Sequence, residues 1–240
     1  MASRKLATPP PPGGSDLWKD HDPPIKTGPI DHGASLESVA WLTRTQYNMH
    51  RPDAMQVDPK ELIQVLNEAG VKFVLMGQHG ISGWLSEPRA TRDVDVVVQK
   101  RHFAKAVRAV QAAWPELLVK EYPVVTRFLD PANNEPVIDL MRPNDVYREA
   151  FKNCVRVGKT HDVPSLELAL AAKFAAMVSR NRERRKKHFD AGDFIGIVER
   201  NHAKIDVERL RKLGDAVYPG GGDEIVRFVE DVKAGRTLRV

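Results

Sequence analysis

Residues 71–98, VKFVLMGQHGISGWLSEPRATRDVDVVV, constrain the fold more than any other stretch of the chain. An apolar run, Val71 to Met76, stops at Gly77, and a second apolar run begins at an acidic pair, Asp93 and Asp95. Successive side chains of a strand alternate between faces, so Asp93 and Asp95 project from one face while Val94 and Val96 point into the core. Two carboxylates side by side on a rigid strand repel each other unless a cation or a shared proton compensates. Carboxylate oxygens with no nearby Cys and no paired His suit a hard cation, Mg²⁺ or Mn²⁺, better than zinc. Gly77 falls between a strand and a short helical segment, where free backbone N–H groups can hold phosphate. These are the parts of a metal-dependent phosphoryl-transfer site.

Around this stretch the chain alternates helix and strand signals. Residues 1–34 hold seven of the 17 prolines and few large apolar residues, which predicts a disordered tail. Residues 35–49 have helical spacing in Leu36, Val39, Ala40 and Leu42. Asp58-Pro59-Lys60-Glu61 starts a helix that buries Leu62, Val65 and Leu66 and stops at Gly70. Arg101–Trp114 is amphipathic, with Phe103, Val107, Val110 and Ala113 on its core face. Val124–Leu129 and Pro136–Leu140 read as a hairpin turning through Asp130–Asn134. A third acid, Asp139, stands in the second of these strands between apolar neighbours, and an acid there needs a partner. The bland alternative is Arg142 or a backbone N–H; with Asp93 and Asp95 upstream, a site role is favoured.

Cys154–Val157 reads as one further strand, after which the chain turns through His161–Pro164. Ser165 caps an apolar helix, Leu166–Ser179, interrupted by a lone Lys173 that either snorkels to water or meets an anion. Residues 180–188 then carry six cations against one acid, and Asp190 and Asp193 come next. Together with His188 they mimic a metal set, but acids so placed more often pair with flanking Arg or Lys. Two amphipathic helices, 207–213 and 224–232, close the chain, with Gly220–Gly222 as a linker.

The order strand, Gly77, short helix, Arg89-x-Thr91-x-Asp93-Val94-Asp95 resembles the nucleotidyltransferases of the DNA polymerase β superfamily. It is nearest the small bacterial branch that includes AbiEii-type toxin nucleotidyltransferases. The sequence departs from that pattern at Gln78, where such families carry Gly or Ser. The resemblance implies that Asp139 is the third catalytic carboxylate, on a strand beside the one bearing the pair. It also implies that Lys173, after Val163-Pro164-Ser165-Leu166, faces nucleotide phosphates. The fold it implies is α/β: a mixed sheet flanked by helices over residues 35–160 and a helical subdomain, 161–240, across the site. The expected reaction moves an NMP from an NTP to an acceptor hydroxyl. Asp93, Asp95 and Asp139 would bind two Mg²⁺ or Mn²⁺ ions, and Gly77, Gln78, Arg89, Thr91 and Lys173 would bind the nucleotide. The rival expectations are a catalytically silent binding module and a toxin–antitoxin component with a neutralising protein partner.

Charge and cysteine usage narrow the setting. A formal charge of +5 and a pI near 9.3 favour polyanionic partners. With Arg184–Lys187 unbroken, they point to an RNA or tRNA acceptor. The single cysteine, Cys154, excludes an internal disulfide and suits a reducing cytoplasm. The start, MASRKLATPPPP, lacks the apolar core of a secretory leader, and no stretch is long and apolar enough to span a bilayer.

Overall fold

The structure is a computed structural model that describes residues 30–51 and 53–238. Most of the expected tail, residues 1–29, lies outside the described residues. Helix α1, His32–His50, begins within that expected tail, capped by Asp31, whose side chain accepts from the Ala34 N–H. It buries Leu36, Val39 and Thr43. Helix α2, Pro59–Glu68, starts as the sequence implies, with Asp58 accepting from the Lys60 N–H and proline in its first turn. Its buried positions are Leu62, Ile63 and Leu66, so Ile63 takes the place expected for Val65.

Strand β1, Phe73–Leu75, leads through Gly77 into a five-residue helix, α3, Gly77–Ile81. Strand β2, Val94–Val98, and helix α4, Phe103–Ala113, come next. Strands β3, Leu118–Glu121, β4, Val125–Leu129, and β5, Pro136–Met141, form a meander. Strands β6, Cys154–Val157, and β7, His161–Pro164, make a hairpin. Among the described residues four α-helices follow: α5, Leu166–Val178; α6, Arg184–Asn201; α7, Val207–Asp215; and α8, Gly221–Lys233.

The seven strands make one mixed sheet in the order β3-β4-β5-β2-β1-β7-β6, parallel at β2/β5 and β1/β7 and antiparallel elsewhere. The fold is mixed α/β. Alternation along the central strands divides the core between two layers. Phe73 and Leu75, with Val94, Val96 and Val98, pack with α2 and α4. Val74, Met76 and Val97 pack with α5–α8. Asp95 alternates with Val94 and Val96, so it shares the face that meets α5.

The structure corrects three further expectations. Residues 161–164 form a strand rather than a turn, with Val74 of β1 opposite Asp162. Pro164 is tolerated because it closes the strand. The expected boundary at 160/161 therefore cuts the β6–β7 hairpin, and the helical part begins at Leu166. Gly221 and Gly222 are the first turn of α8 and not linker; a side chain on either would meet the backbone at Gly214 or Arg211.

Candidate active site

Asp95 and Asp139 are register partners on the parallel strands β2 and β5, so their side chains stand next to each other on one face of the sheet. Asp93 lies one residue before β2 and accepts a 2.9 Å hydrogen bond from Thr91 Oγ1. One carboxylate oxygen from each of Asp93, Asp95 and Asp139 lies within 4.8 Å of the others. Burial, then the charges of Asp93 and Asp139, hold the Asp95 carboxyl well above the usual carboxylate range. Burial pushes Asp139 up to about 6, against the opposing charge of Arg127. Arg127 Nε donates to Asp139 Oδ2 at 3.2 Å, while Asp139 Oδ1 has no partner among the described residues.

Strand pairing thus sets Asp95 beside Asp139, and Asp93, just before β2, completes the predicted set. Three carboxylates this close repel unless a cation stands among them. All three donors are carboxylate oxygens, and Asp139 Oδ1 has no hydrogen-bond partner among the described residues. This set fits a hard divalent cation.

Gly77 lies against Asp95 and lines the cleft. Its φ is +56°, and a Cβ there would overlap the Asp95 carboxylate. A hydrogen bond of 2.8 Å from the Met76 N–H to the Asp95 carbonyl fixes this approach. Gln78, the departure from the family pattern, is only 3% exposed and lines the same cleft. Neither its Nε2 nor its Oε1 finds a partner among the described residues. An amide buried without partners costs free energy, and a ligand carrying both donors and acceptors would offset that cost.

Five other side chains set the frame. Arg89 Nε and a terminal nitrogen donate to Asp193 Oδ1 and Oδ2 at 3.0 and 2.7 Å. Lys173 Nζ lies 3.0 Å from Asp190 Oδ1 and 2.7 Å from Asp193 Oδ2. Arg182 donates to Asp190 Oδ2 at 2.9 Å. Burial opposes ionisation of Asp193, but the hydrogen bond from Arg89 and the Lys173 charge hold its carboxyl below the usual range. Lys173 lines the cleft, yet its ammonium is engaged by two buried acids. Asp190 and Asp193 pair with Arg and Lys, and His188 is exposed beside them.

Two neighbours of the acids carry no sequence signal of their own. Arg127, on β4, stands opposite Asp139 in register. Tyr147 lines the cleft with its hydroxyl pushed up to about 12 by burial and by the nearby Asp95. Arg142, the expected bland partner of Asp139, instead stacks 4.0 Å from the Phe103 ring centroid and donates to the Tyr122 carbonyl. The cleft encloses about 1060 Å³, with the acids at its floor, α5 along one wall, and Arg182, Arg185, Lys186 and Phe189 at its mouth.

No protein-family model and no curated protein matches this chain. Three solved structures are similar to it. One is an antigenic nucleotidyltransferase-like protein from Paracoccidioides brasiliensis, at 14% identity over 83% of this chain and 95% of that one, with a TM-score of 0.41. Another is the antibiotic-resistance factor ANT(2'')-Ia, at 13% identity over 81% and 100%, TM-score 0.46. The third is terminal uridylyl transferase 4 from Trypanosoma brucei with bound GTP, at 14% identity over 82% and 71%, TM-score 0.32. Among the described residues no helix is long and apolar enough to cross a membrane.

Proposed function

We propose that this chain is a nucleotidyltransferase that moves a nucleoside monophosphate from an NTP to an acceptor hydroxyl. The observation that carries this reading is the convergence of Asp93, Asp95 and Asp139 within 4.8 Å at the floor of a cleft of about 1060 Å³. In the reaction the acceptor oxygen forms a bond to the α-phosphorus, the bond to the bridging α–β oxygen breaks, and pyrophosphate leaves. Asp93, Asp95 and Asp139 would hold Mg²⁺ or Mn²⁺. The metal, when bound, neutralises triphosphate charge and acidifies the acceptor hydroxyl.

The chain's own residues do the rest. Asp139 would take the acceptor proton; that one of its oxygens is held by Arg127 and the other has no partner among the described residues supports this role. Gln78 offers its unpartnered amide to the nucleotide, and Gly77, lacking a Cβ, lets the Asp95 carboxylate take its place in the site. Thr91 orients Asp93. Arg89 and Lys173 act on the nucleotide chiefly by fixing α6 through Asp193 and, for Lys173, Asp190.

For the acceptor we propose RNA, in particular a tRNA end. Arg184, Arg185, Lys186 and Lys187 form no salt bridge among the described residues, and they sit in the first turn of α6. Cations there oppose the positive end of the helix dipole. A phosphate backbone would relieve this and release counterions. The motif also supports an AbiEii-like role in the reducing cytoplasm, with a neutralising protein partner. A silent binding module would keep this fold while losing acids; here all three are present.

Incubation with each labelled NTP, Mg²⁺ and total cell RNA or protein tests the reading. Label should pass to RNA in the wild type and not in Asp95→Asn. Absence of Mg²⁺-dependent transfer to any acceptor would refute nucleotidyl transfer. Changing Arg184–Lys187 to Ala should weaken RNA binding and flatten its salt dependence while leaving Mg²⁺–NTP binding intact.

A further inference from the structure

Phe189 is half exposed at the cleft mouth, although α6 does not need it for docking. The face of α6 that packs on the core carries Asp190, Asp193, Phe194, Ile197 and Val198. Phe189 belongs to neither hydrophobic core. The surroundings of its ring are positive. Arg185, one turn earlier on α6, places its guanidinium 5.7 Å from the ring centroid. Arg89 places its own at 5.7 Å, and Asp193 fixes Arg89 by two hydrogen bonds. A large apolar ring is costly to leave in water, and it gains most when a flat partner covers it.

The neighbourhood restricts that partner. Lys186, next along the helix, carries its charge close enough to bear on Asp139. A ligand that covers Phe189 therefore also meets Arg185 and Lys186 within the same cleft that holds the acids. An apolar peptide would leave these cations unpaired, whereas a nucleotide brings a π-face for the ring and phosphate for the cations.

We propose that Phe189 is a stacking platform for an unpaired base of the acceptor RNA, with Arg185 and Lys186 on the adjoining phosphates. This rests on the nucleotidyl-transfer reading and adds the place where the acceptor strand enters. A base stacked there holds its strand at the mouth while the terminal hydroxyl reaches the acids. Discrimination arises from geometry: single strands can offer an unstacked base, and duplex ends cannot without fraying.

The test uses the full chain, fluorescence anisotropy, a short unstructured RNA and the same RNA with one abasic position near its 3′ end. Phe189→Ala should weaken binding of the intact RNA roughly tenfold, in line with the loss of one stacked base. Phe189→Trp should retain it. The salt dependence should be the same for all three proteins, because no phosphate contact is lost. On the RNA whose abasic position falls at the platform, wild type and Phe189→Ala should bind equally. Unchanged affinity in Phe189→Ala overturns the platform, as does a loss that persists on every abasic RNA. So does a wild type that binds no RNA or that labels only protein. Stabilisation of the same proteins by Mg²⁺ with NTP is read in parallel. If it is present while RNA binding is absent, the platform falls and nucleotide binding stands; if it too is absent, the underlying reading falls.

Discussion

The Asp95 carboxylate occupies the space in which any side chain at position 77 would begin. Gly77 also has a φ of +56°, where residues with a Cβ are strained. Gly158 has nearly the same φ, +52°, but nothing within 4 Å of its would-be Cβ. Comparing the two separates backbone cost from the steric one. Gly158→Ala should cost about 1 kcal/mol and leave activity unchanged. Gly77→Ala should cost more, because Asp95 must move as well, and it should remove Mg²⁺-dependent transfer. Urea denaturation and a transfer assay on both variants check this; equal stability losses with activity retained would show that Asp95 yields freely.

Asp95→Asn removes one charge from a repelling, buried group. Its carboxyl is held above the usual range by burial and by Asp93 and Asp139, so the charged form destabilises the metal-free protein. The variant should melt at a higher temperature than wild type without metal. It should lose the further rise that Mg²⁺ gives the wild type. Transfer should fall on the order of a hundredfold or more, given that a catalytic metal contributes several kcal/mol. A variant that unfolds, or one still stabilised by Mg²⁺, would show that Asp95 serves the fold and not an ion.

The legible part of this molecule is the part with a short period. Alternation predicts that Asp93 and Asp95 share a side, and they converge although Asp93 stands one residue before β2; the caps Asp58 and Ser165 mark their helices from local chemistry alone. Strand β3 gives no such signal, because Lys120 and Glu121 at the sheet edge break the apolar pattern. Arg127 shows a subtler limit. The hairpin closes with a hydrogen bond from the Asp130 N–H to the Glu135 carbonyl, and counting back from it sets Arg127 opposite Ile138. An irregularity at Phe128/Leu129 moves the register by one and brings Arg127 to Asp139. A single extra residue in a ladder leaves no mark in composition or periodicity. Lys173 stands out as an isolated cation, but its partners, Asp190 and Asp193, come from the next helix. Spacing along one helix cannot report which neighbour will supply the anion.

Lys173 therefore offers a stability test. Its side chain is 10% exposed, and those of Asp190 and Asp193 are 3% and 6% exposed. Lys173→Ala leaves Arg182 on Asp190 and Arg89 on Asp193, but it uncovers both carboxylates on the inner side. Removing one partner of a buried ion pair typically costs about 3–5 kcal/mol, and the remaining pairs place this variant toward the lower end. Urea midpoints, with the slope checked for two-state behaviour, measure it. A loss below about 1 kcal/mol would mean that the ammonium is not committed to these acids. Lys173→Ala with Asp190→Asn should recover part of the loss, because the unpaired charge is then removed as well.

His161 on β7 predicts how stability depends on acid. The residue is 4% exposed; its Nδ1 lies 2.9 Å from Thr160 Oγ1 and its Nε2 has no partner among the described residues. Burial first, and then the Arg156 charge, lower its pKa from 6.5 to about 4, with Asp162 opposing. In the unfolded chain the imidazole takes a proton near 6.5; in the folded protein it does so only near 4. Between those values the unfolded state binds the extra proton, so stability declines as pH falls. The contribution is fully present above 6.5 and is lost progressively toward about 4. His79, buried on α3 and also lowered to about 4, acts with the same sign. His161→Gln should therefore flatten the decline without abolishing it, by at most about 1.4 kcal/mol per pH unit for one group. Urea midpoints across this range, with an NMR titration of the imidazole, decide the matter. An unchanged slope in the variant, or a folded-state titration of His161 near 6.5, would show that the ring is solvated and that another group carries the acid sensitivity.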